Sequence, residues 1–124
     1  MEVQFPSPPS SIEYIRTGKL RGLGVTSAMR SEALPDLPAI GEFVPGYEMS
    51  AWFGAAAPKG TPADVIDKIN NEINAGLADP KLRARLADLG DTPLALSPAE
   101  FGKLIADETE KWGKVMRAAN IKLD

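Results

Sequence analysis

Of the side chains that commonly make and break bonds in proteins, two are missing from this sequence: it has neither histidine nor cysteine. The commonest general base and the commonest zinc ligand are therefore gone. The usual catalytic triads and thiol nucleophiles are excluded with them. Carboxylate pairs could still do acid–base work. The candidates are Asp64, Asp67 and Glu72, then Asp107 with Glu110. Helical spacing sets these opposite the apolar residues, on a solvated face rather than in a dyad. Lys59-Gly60-Thr61 has the ending of a phosphate loop but lacks its spaced first glycine. What remains is anion binding by helix ends. Helix starts at Ser10 and at Thr61 would offer free backbone amides to a negative charge.

The elements that position these groups centre on EMSAWFGAAAPKGTP, residues 48–62. Met49, Ala51, Trp52, Phe53 and Ala55 to Ala57 form a nearly continuous apolar run. Such a run predicts a strand covered on both faces, as in a parallel α/β sheet. Pro58, Gly60 and Pro62 break it. Thr61 is then expected to cap a helix with Pro62 at its first position.

Before that strand lies a short extended segment, residues 2–5, ended by Pro6, Pro8 and Pro9. Ser10 and Glu13 have the spacing of a capping box, which starts a helix at Ser10 that stops near Gly18. LRGLGVTS, residues 20–27, reads as a second strand, with Gly22 and Gly24 leaving room for close packing. Residues 28–47 carry too many apolar groups for a solvated loop. They predict a packed connection with one short helix near residues 38–43.

After the central strand, Val65, Ile66, Ile69, Ile73 and Leu77 make a helical stripe, with Asn70 and Asn74 mostly on the opposite side. Asp79-Pro80 starts the next helix and Gly90 stops it. Residues 92–96 predict a short strand. Ser97-Pro98-Ala99-Glu100 is a capping box for a last helix running to about Ala119.

The chain has 124 residues, which predicts one domain over residues 1–124. A compact chain of this size buries about seventy per cent of its unfolded surface. Net charge is −3 with acids and bases interspersed, which argues against a nucleic-acid surface. There is no disulfide framework. No stretch approaches the roughly 18 apolar residues of a membrane span. MEVQFPSPPSS has no basic region followed by an apolar run, so it is not a signal peptide, and an export signal would lie outside these residues.

The order of motifs resembles the substrate-binding proteins of tripartite tricarboxylate transporters, the Bug family. The matching pieces begin with Phe5, Pro9-Ser10, IRTGKLRGLGVTS from Ile15, and Arg30 with Leu34-Pro35-Asp36-Leu37-Pro38. They continue with Pro45-Gly46-Tyr47, Ala51-Trp52-Phe53-Gly54, Ala57-Pro58-Lys59-Gly60-Thr61-Pro62 and Ile69-Asn70-Asn71-Glu72-Ile73. The last are Leu77-Ala78-Asp79-Pro80, Leu89-Gly90, Ser97-Pro98-Ala99-Glu100-Phe101 and Glu110-Lys111-Trp112-Gly113-Lys114-Val115. They cover nearly the whole chain, but only the C-terminal portion of the family.

The resemblance implies an α/β architecture, with parallel strands and packed helices, as part of a two-domain periplasmic binding protein-like clamshell. It implies a truncated extracytoplasmic protein that binds small carboxylates and feeds transporter subunits in the membrane. It implies no enzyme activity, no metal and no cofactor, and a periplasmic location. By position, Phe5, Pro6, Ser7 and Ser10 become the ligand candidates. Some members carry Asp-Asn after the phenylalanine, where this chain has Pro6 and Ser7. Trp52 and Phe53 come next, either as walls of the site or as aromatics of the strand core. The alternative is an interaction module that self-associates and has lost solute binding. Apolar strands lacking the N-terminal half predict a homo-oligomer in either case.

Overall fold

The computed structural model describes residues 3–121. Its elements in order are helix α1 (Pro8–Arg16), a single 3₁₀ turn at Ile40–Glu42, and helices α2 (Ala63–Ala78), α3 (Pro80–Asp88) and α4 (Pro98–Ala118). Contacts group the chain into two compact units. One takes in the described residues up to Ala56 together with Leu77–Pro93. The other takes in Ala57–Gly76 and the described residues from Leu94 onward.

In the first unit, α1 begins three residues earlier than the capping-box spacing predicts. Proline lacks the N–H that a first turn leaves unbonded, and its φ already suits a helix. Pro8 and Pro9 therefore fill the first two positions, and Ser7 takes the N-cap place with φ −67° and ψ 150°. Ser10 lies inside the helix. Its hydroxyl donates to Ser7 O at 2.8 Å, and Glu13 receives Arg16 at 3.2 Å, so the expected Ser10–Glu13 box does not form. The helix stops as expected: Thr17 N–H donates to Glu13 O, and Gly18 follows at φ +73°. One side of α1 is buried, with Ile12 1% and Ser11 5% exposed.

The end of α3 packs on that side. Asp79 caps α3, its carboxylate accepting from the Lys81 and Leu82 amides at 2.9 and 3.0 Å. At the other end Gly90 N–H donates to Ala87 O and Asp91 N–H to Leu86 O, both at 2.9 Å. This is a Schellman closure around a left-handed residue, Gly90 at φ +80°. A Cβ at Gly90 would fall 2.8 Å from Pro8 Cβ and 3.5 Å from Ile12 Cδ1. The missing side chain lets α3 approach α1.

The two expected strands are not formed among the described residues. Residues 20–27 contribute one isolated parallel bridge, Val25 with Ala39. Val25 N–H donates to Pro38 O and Ile40 N–H to Val25 O, each at 2.9 Å. On the other side, Met49 N–H donates to Thr26 O at 2.8 Å. Three backbone runs thus lie side by side without extending into a ladder. The expected strand at residues 92–96 is also absent. A strand is stable only when neighbours satisfy its edge groups, and two bonds on one side with one on the other do not do that. The close packing expected at Gly22 is present, since a Cβ there would meet Leu37 Cδ1 at 2.6 Å. The connection at residues 28–47 packs as expected around the Ile40–Glu42 turn. Residues 3–7 have no regular structure, and Glu2, part of the predicted extended segment, lies outside the described residues.

In the second unit, α2 is turned by one residue from the predicted stripe. Val65, Ile69 and Ile73 are 41%, 46% and 43% exposed. Ile66, Asn70 and Asn74 lie on the more buried side. Both asparagines donate to Leu96 O, at 2.8 and 3.2 Å. Thr61 does not cap α2 as expected. Its hydroxyl donates to Pro58 O at 2.8 Å, and the Pro62 carbonyl opens the helix by accepting from Ile66 N–H. The Ser97 box on α4 forms as expected. Ser97 Oγ accepts from Glu100 N–H at 3.2 Å, and Ser97 N–H donates to Glu100 Oε2 at 2.8 Å.

Burial falls well short of seventy per cent. The accessible surface is 10022 Å². A compact chain of this mass would expose about 6,400 Å², and two separate compact halves about 7,700 Å². Roughly half of the unfolded surface is buried.

Candidate functional site

Phe5, Pro6, Ser7 and Ser10 run in sequence into the N-terminus of α1, and all four are exposed. Phe5 is 68% exposed, so its ring is a free apolar surface. Ser7 O is a convergence point. It accepts from Ser10 N–H at 3.1 Å, Ser10 Oγ at 2.8 Å and Ser11 Oγ at 3.1 Å. The Ser7 and Ser10 hydroxyl oxygens are 3.2 Å apart. A hydroxyl has one proton. With Ser10's directed at Ser7 O, the hydroxyl–hydroxyl bond takes its proton from Ser7.

This geometry revises the expectation of free amides at the helix start. Pro8 and Pro9 have no N–H, and Ser10 N–H is already bonded. Among the described residues, Ser7 N–H meets no acceptor. The start of α1 therefore offers an anion one backbone donor, plus two hydroxyls that can turn about their Cβ–Oγ bonds. At α2 the Thr61 amide and hydroxyl both serve Pro58 O, and Asp64 sits in the first turn. A carboxylate there already complements the helix dipole and repels a second anion.

Trp52 and Phe53 lie in the run that forms no strand. Trp52 is 36% and Phe53 91% exposed. Neither is a core aromatic in this chain, and no described bond joins Phe53 to Phe5 or Ser7. A shallow hollow of about 340 Å³ lies at the other end of α1, lined by Ile15, Arg16, Leu34, Asp36 and Leu37 among others. None of the six candidates lines it.

Sequence reasoning missed Ser11, the buried hydroxyl that ties the second turn of α1 to Ser7 O. The paired prolines were the available signal, because they fix the start of the helix and so the places of the serines. It also missed the Arg30–Glu42 pair, which is bonded through both oxygens at 2.8 and 2.7 Å. The spacing of those two residues carries no signal.

A model of the tripartite tricarboxylate transporter family receptor matches residues 2–121. The chain belongs to this receptor family. Protein BugT of Bordetella pertussis is 36% identical over 116 residues, covering 93% of this chain and 36% of BugT. The periplasmic binding protein BugD is 35% identical, with TM-score 0.83, over 90% of this chain and 38% of BugD. An R. palustris protein whose structure contains adipate is 34% identical, again with TM-score 0.83, over 90% of this chain and 38% of its own length. The chain thus spans little more than a third of these family members. The likeness supports a periplasmic binding protein-like fold for that third, with its parallel strands unformed among the described residues.

Proposed function

We propose that this chain supplies one wall of a small-carboxylate site in an extracytoplasmic solute-binding protein that serves a tripartite tricarboxylate-type transporter. The observation that carries the proposal is the family match over residues 2–121. The adipate held by a structural relative supports the solute class. On this reading the protein works in the periplasm and binds without bond chemistry.

The wall is the stretch from Phe5 to Ser10. A carboxylate accepts hydrogen bonds and donates none. Ser7 N–H and the Ser7 and Ser10 hydroxyls are its donors here. The Phe5 ring covers the methylene chain of the solute. Trp52 and Phe53 add apolar wall. Clamshell sites gain affinity by closing two walls on the solute. One wall leaves the carboxylate largely hydrated, and a bond exchanged for water gains only about 1 kcal/mol.

Adipate titrated into the isolated chain, followed by amide NMR, tests this. The expected result is binding in the millimolar range with shifts at Phe5, Ser7 and Ser10. Shifts confined to other residues would overturn the site, and a micromolar dissociation constant would overturn the one-wall account.

A further inference from the structure

Helix α2 carries an apolar ridge that its own chain leaves uncovered. Val65, Ile69 and Ile73 are spaced four residues apart, and all three are exposed. Ile66, Asn70 and Asn74 take the more buried side, where both asparagines reach Leu96 O. Single exposed apolar residues are ordinary, but a contiguous ridge of them marks an interface. The next ridge around the helix is Asp64, Lys68 and Glu72, all exposed. The Lys68 and Glu72 side chains make no ion pair or hydrogen bond among the described residues. On α4, Lys103 with Asp107 and Glu110 with Lys114 have the same spacing and do pair. The two charges beside the α2 ridge are thus free to meet a partner.

We propose that α2 is a self-association surface, on which a second copy of this chain lays its own α2 antiparallel. Charge complementarity chooses that occupant. Ridges of residues four apart pack into the grooves of an identical helix, crossing at about −50°. Antiparallel pairing about a two-fold axis sets the charged ridge of each copy against the same ridge of the other. With the axis level with residue 70, Lys68 lies level with the partner's Glu72, and Glu72 with the partner's Lys68. Ile69 then falls between the partner's Ile69 and the partner's Ile73, about 3 Å along the helix from each. The register that interdigitates the isoleucines is therefore the register that pairs the charges. Such rim charges add little affinity, but they fix register and reject a like-charged neighbour.

Area agrees with this occupant. The accessible surface of 10022 Å² exceeds that of two separate compact halves by about 2,300 Å². A dimer of standard size takes only about 800 Å² from each copy. A two-fold contact also closes on itself, so it ends at a dimer and builds no filament. The expected route through strand edges is not open, because no strand forms among the described residues. The α2 surface shares no residue with the Phe5–Ser10 wall.

Sedimentation of the chain and of charge variants tests this. The parent should sediment as a dimer, with a dissociation constant in the micromolar range. Lys68→Glu and Glu72→Lys each set like charges level with one another, and each should weaken the dimer at least about tenfold. Mixed in equal amounts, these two variants face each other with opposite charges, and the mixture should regain the dimer. A charge that acted only within its own helix would give no such recovery. Ile69→Lys should be a monomer with the helix signal of the parent, since residue 69 is exposed. Three results would overturn the proposal. One is a parent that sediments as a monomer at every concentration reached. Another is a dimer that both charge changes leave intact, which would assign the contact to a different surface. The third is a mixture of the two charge variants that stays as weakly associated as each alone.

Discussion

Arg30 holds Glu42 with two parallel bonds, Nε to Oε1 at 2.8 Å and Nη2 to Oε2 at 2.7 Å. The same carboxylate accepts Ala39 N–H at 2.9 Å. Ala39 is 2% exposed and forms the bridge to Val25. The pair is on the surface, yet it fixes the residue on which the only described backbone bridge depends. A lysine offers a point charge in place of the fork. Arg30→Lys should therefore speed hydrogen exchange at Ala39 and Ile40 while leaving α4 unchanged. Equal exchange in the variant and the parent would show that the bridge holds without the fork.

The carboxyl of Glu42 also gives the chain an acid-side sensitivity. Arg30 first, and then the Ala39 amide, hold it below its ordinary value of 4.5. Glu100 is held below the same value by the Ser97 hydroxyl and then the Ser97 amide. A group whose folded pKa is depressed stabilises the fold fully above its unfolded pKa. That contribution is lost as pH falls through the folded value. Stability should thus be level above about pH 5 and decline below 4.5, and Glu42→Gln should reduce the decline. The check is a set of urea midpoints from pH 6 to pH 3. The same decline in Glu42→Gln as in the parent would remove Glu42 from the account.

Ser97 begins the longest helix and accepts from Glu100 N–H at 3.2 Å. Ser97→Ala leaves that donor to water and should cost about 1 kcal/mol. A shifted denaturant midpoint with an unchanged slope is the expected reading. An unmoved midpoint would mean the cap contributes nothing to stability.

Asn70 and Asn74 share one acceptor, Leu96 O, and Asn74 Nδ2 also donates to Asn70 Oδ1 at 3.3 Å. Each can cover for the other's absence. Either single change to alanine should cost no more than about 1 kcal/mol. The double change leaves the Leu96 carbonyl without either donor and should cost more than the two singles together. A double-mutant cycle in urea measures this. Strict additivity would mean that the two bonds are independent.

Local chemistry was readable from the sequence, and partner-dependent structure was not. The Asp79 and Ser97 caps and the Gly90 stop involve residues two to five apart, and all three formed. Ser10 and Glu13 also have the right spacing, but two prolines just upstream suit a first turn better than any side-chain cap. The α2 stripe was misplaced by one position because Asn70 and Asn74 count as polar in the pattern, while their amides face a carbonyl far along the chain. The apolar run at residues 48–57 spells a strand, but a strand needs neighbours. The candidate site could be found through family likeness alone. Phe5 and the serines have no spacing that marks them apart from other exposed residues.

Gly90 carries the most direct test of how α1 is positioned. Its φ of +80° is open to glycine and strained for other residues. A methyl group there would stand 2.8 Å from Pro8 Cβ, inside any real contact, and 3.5 Å from Ile12 Cδ1. Gly90→Ala thus combines two costs. The left-handed backbone accounts for about 1–2 kcal/mol, and forcing apart a packed contact for about 1–3 kcal/mol. Relief would come from lifting Pro8, and that moves the Ser7 carbonyl on which the Ser10 and Ser11 hydroxyls converge. The variant should lose about 2–5 kcal/mol in denaturant and shift the amide resonances of Ser7, Ser10 and Ser11. Gly18→Ala is the control, because Gly18 has a similar φ of +73° and open space where its Cβ would lie. It should show the backbone cost without the shifts at the serines. If the two variants lose the same stability and leave the serines alike, the contact between Gly90 and Pro8 does not set the position of α1.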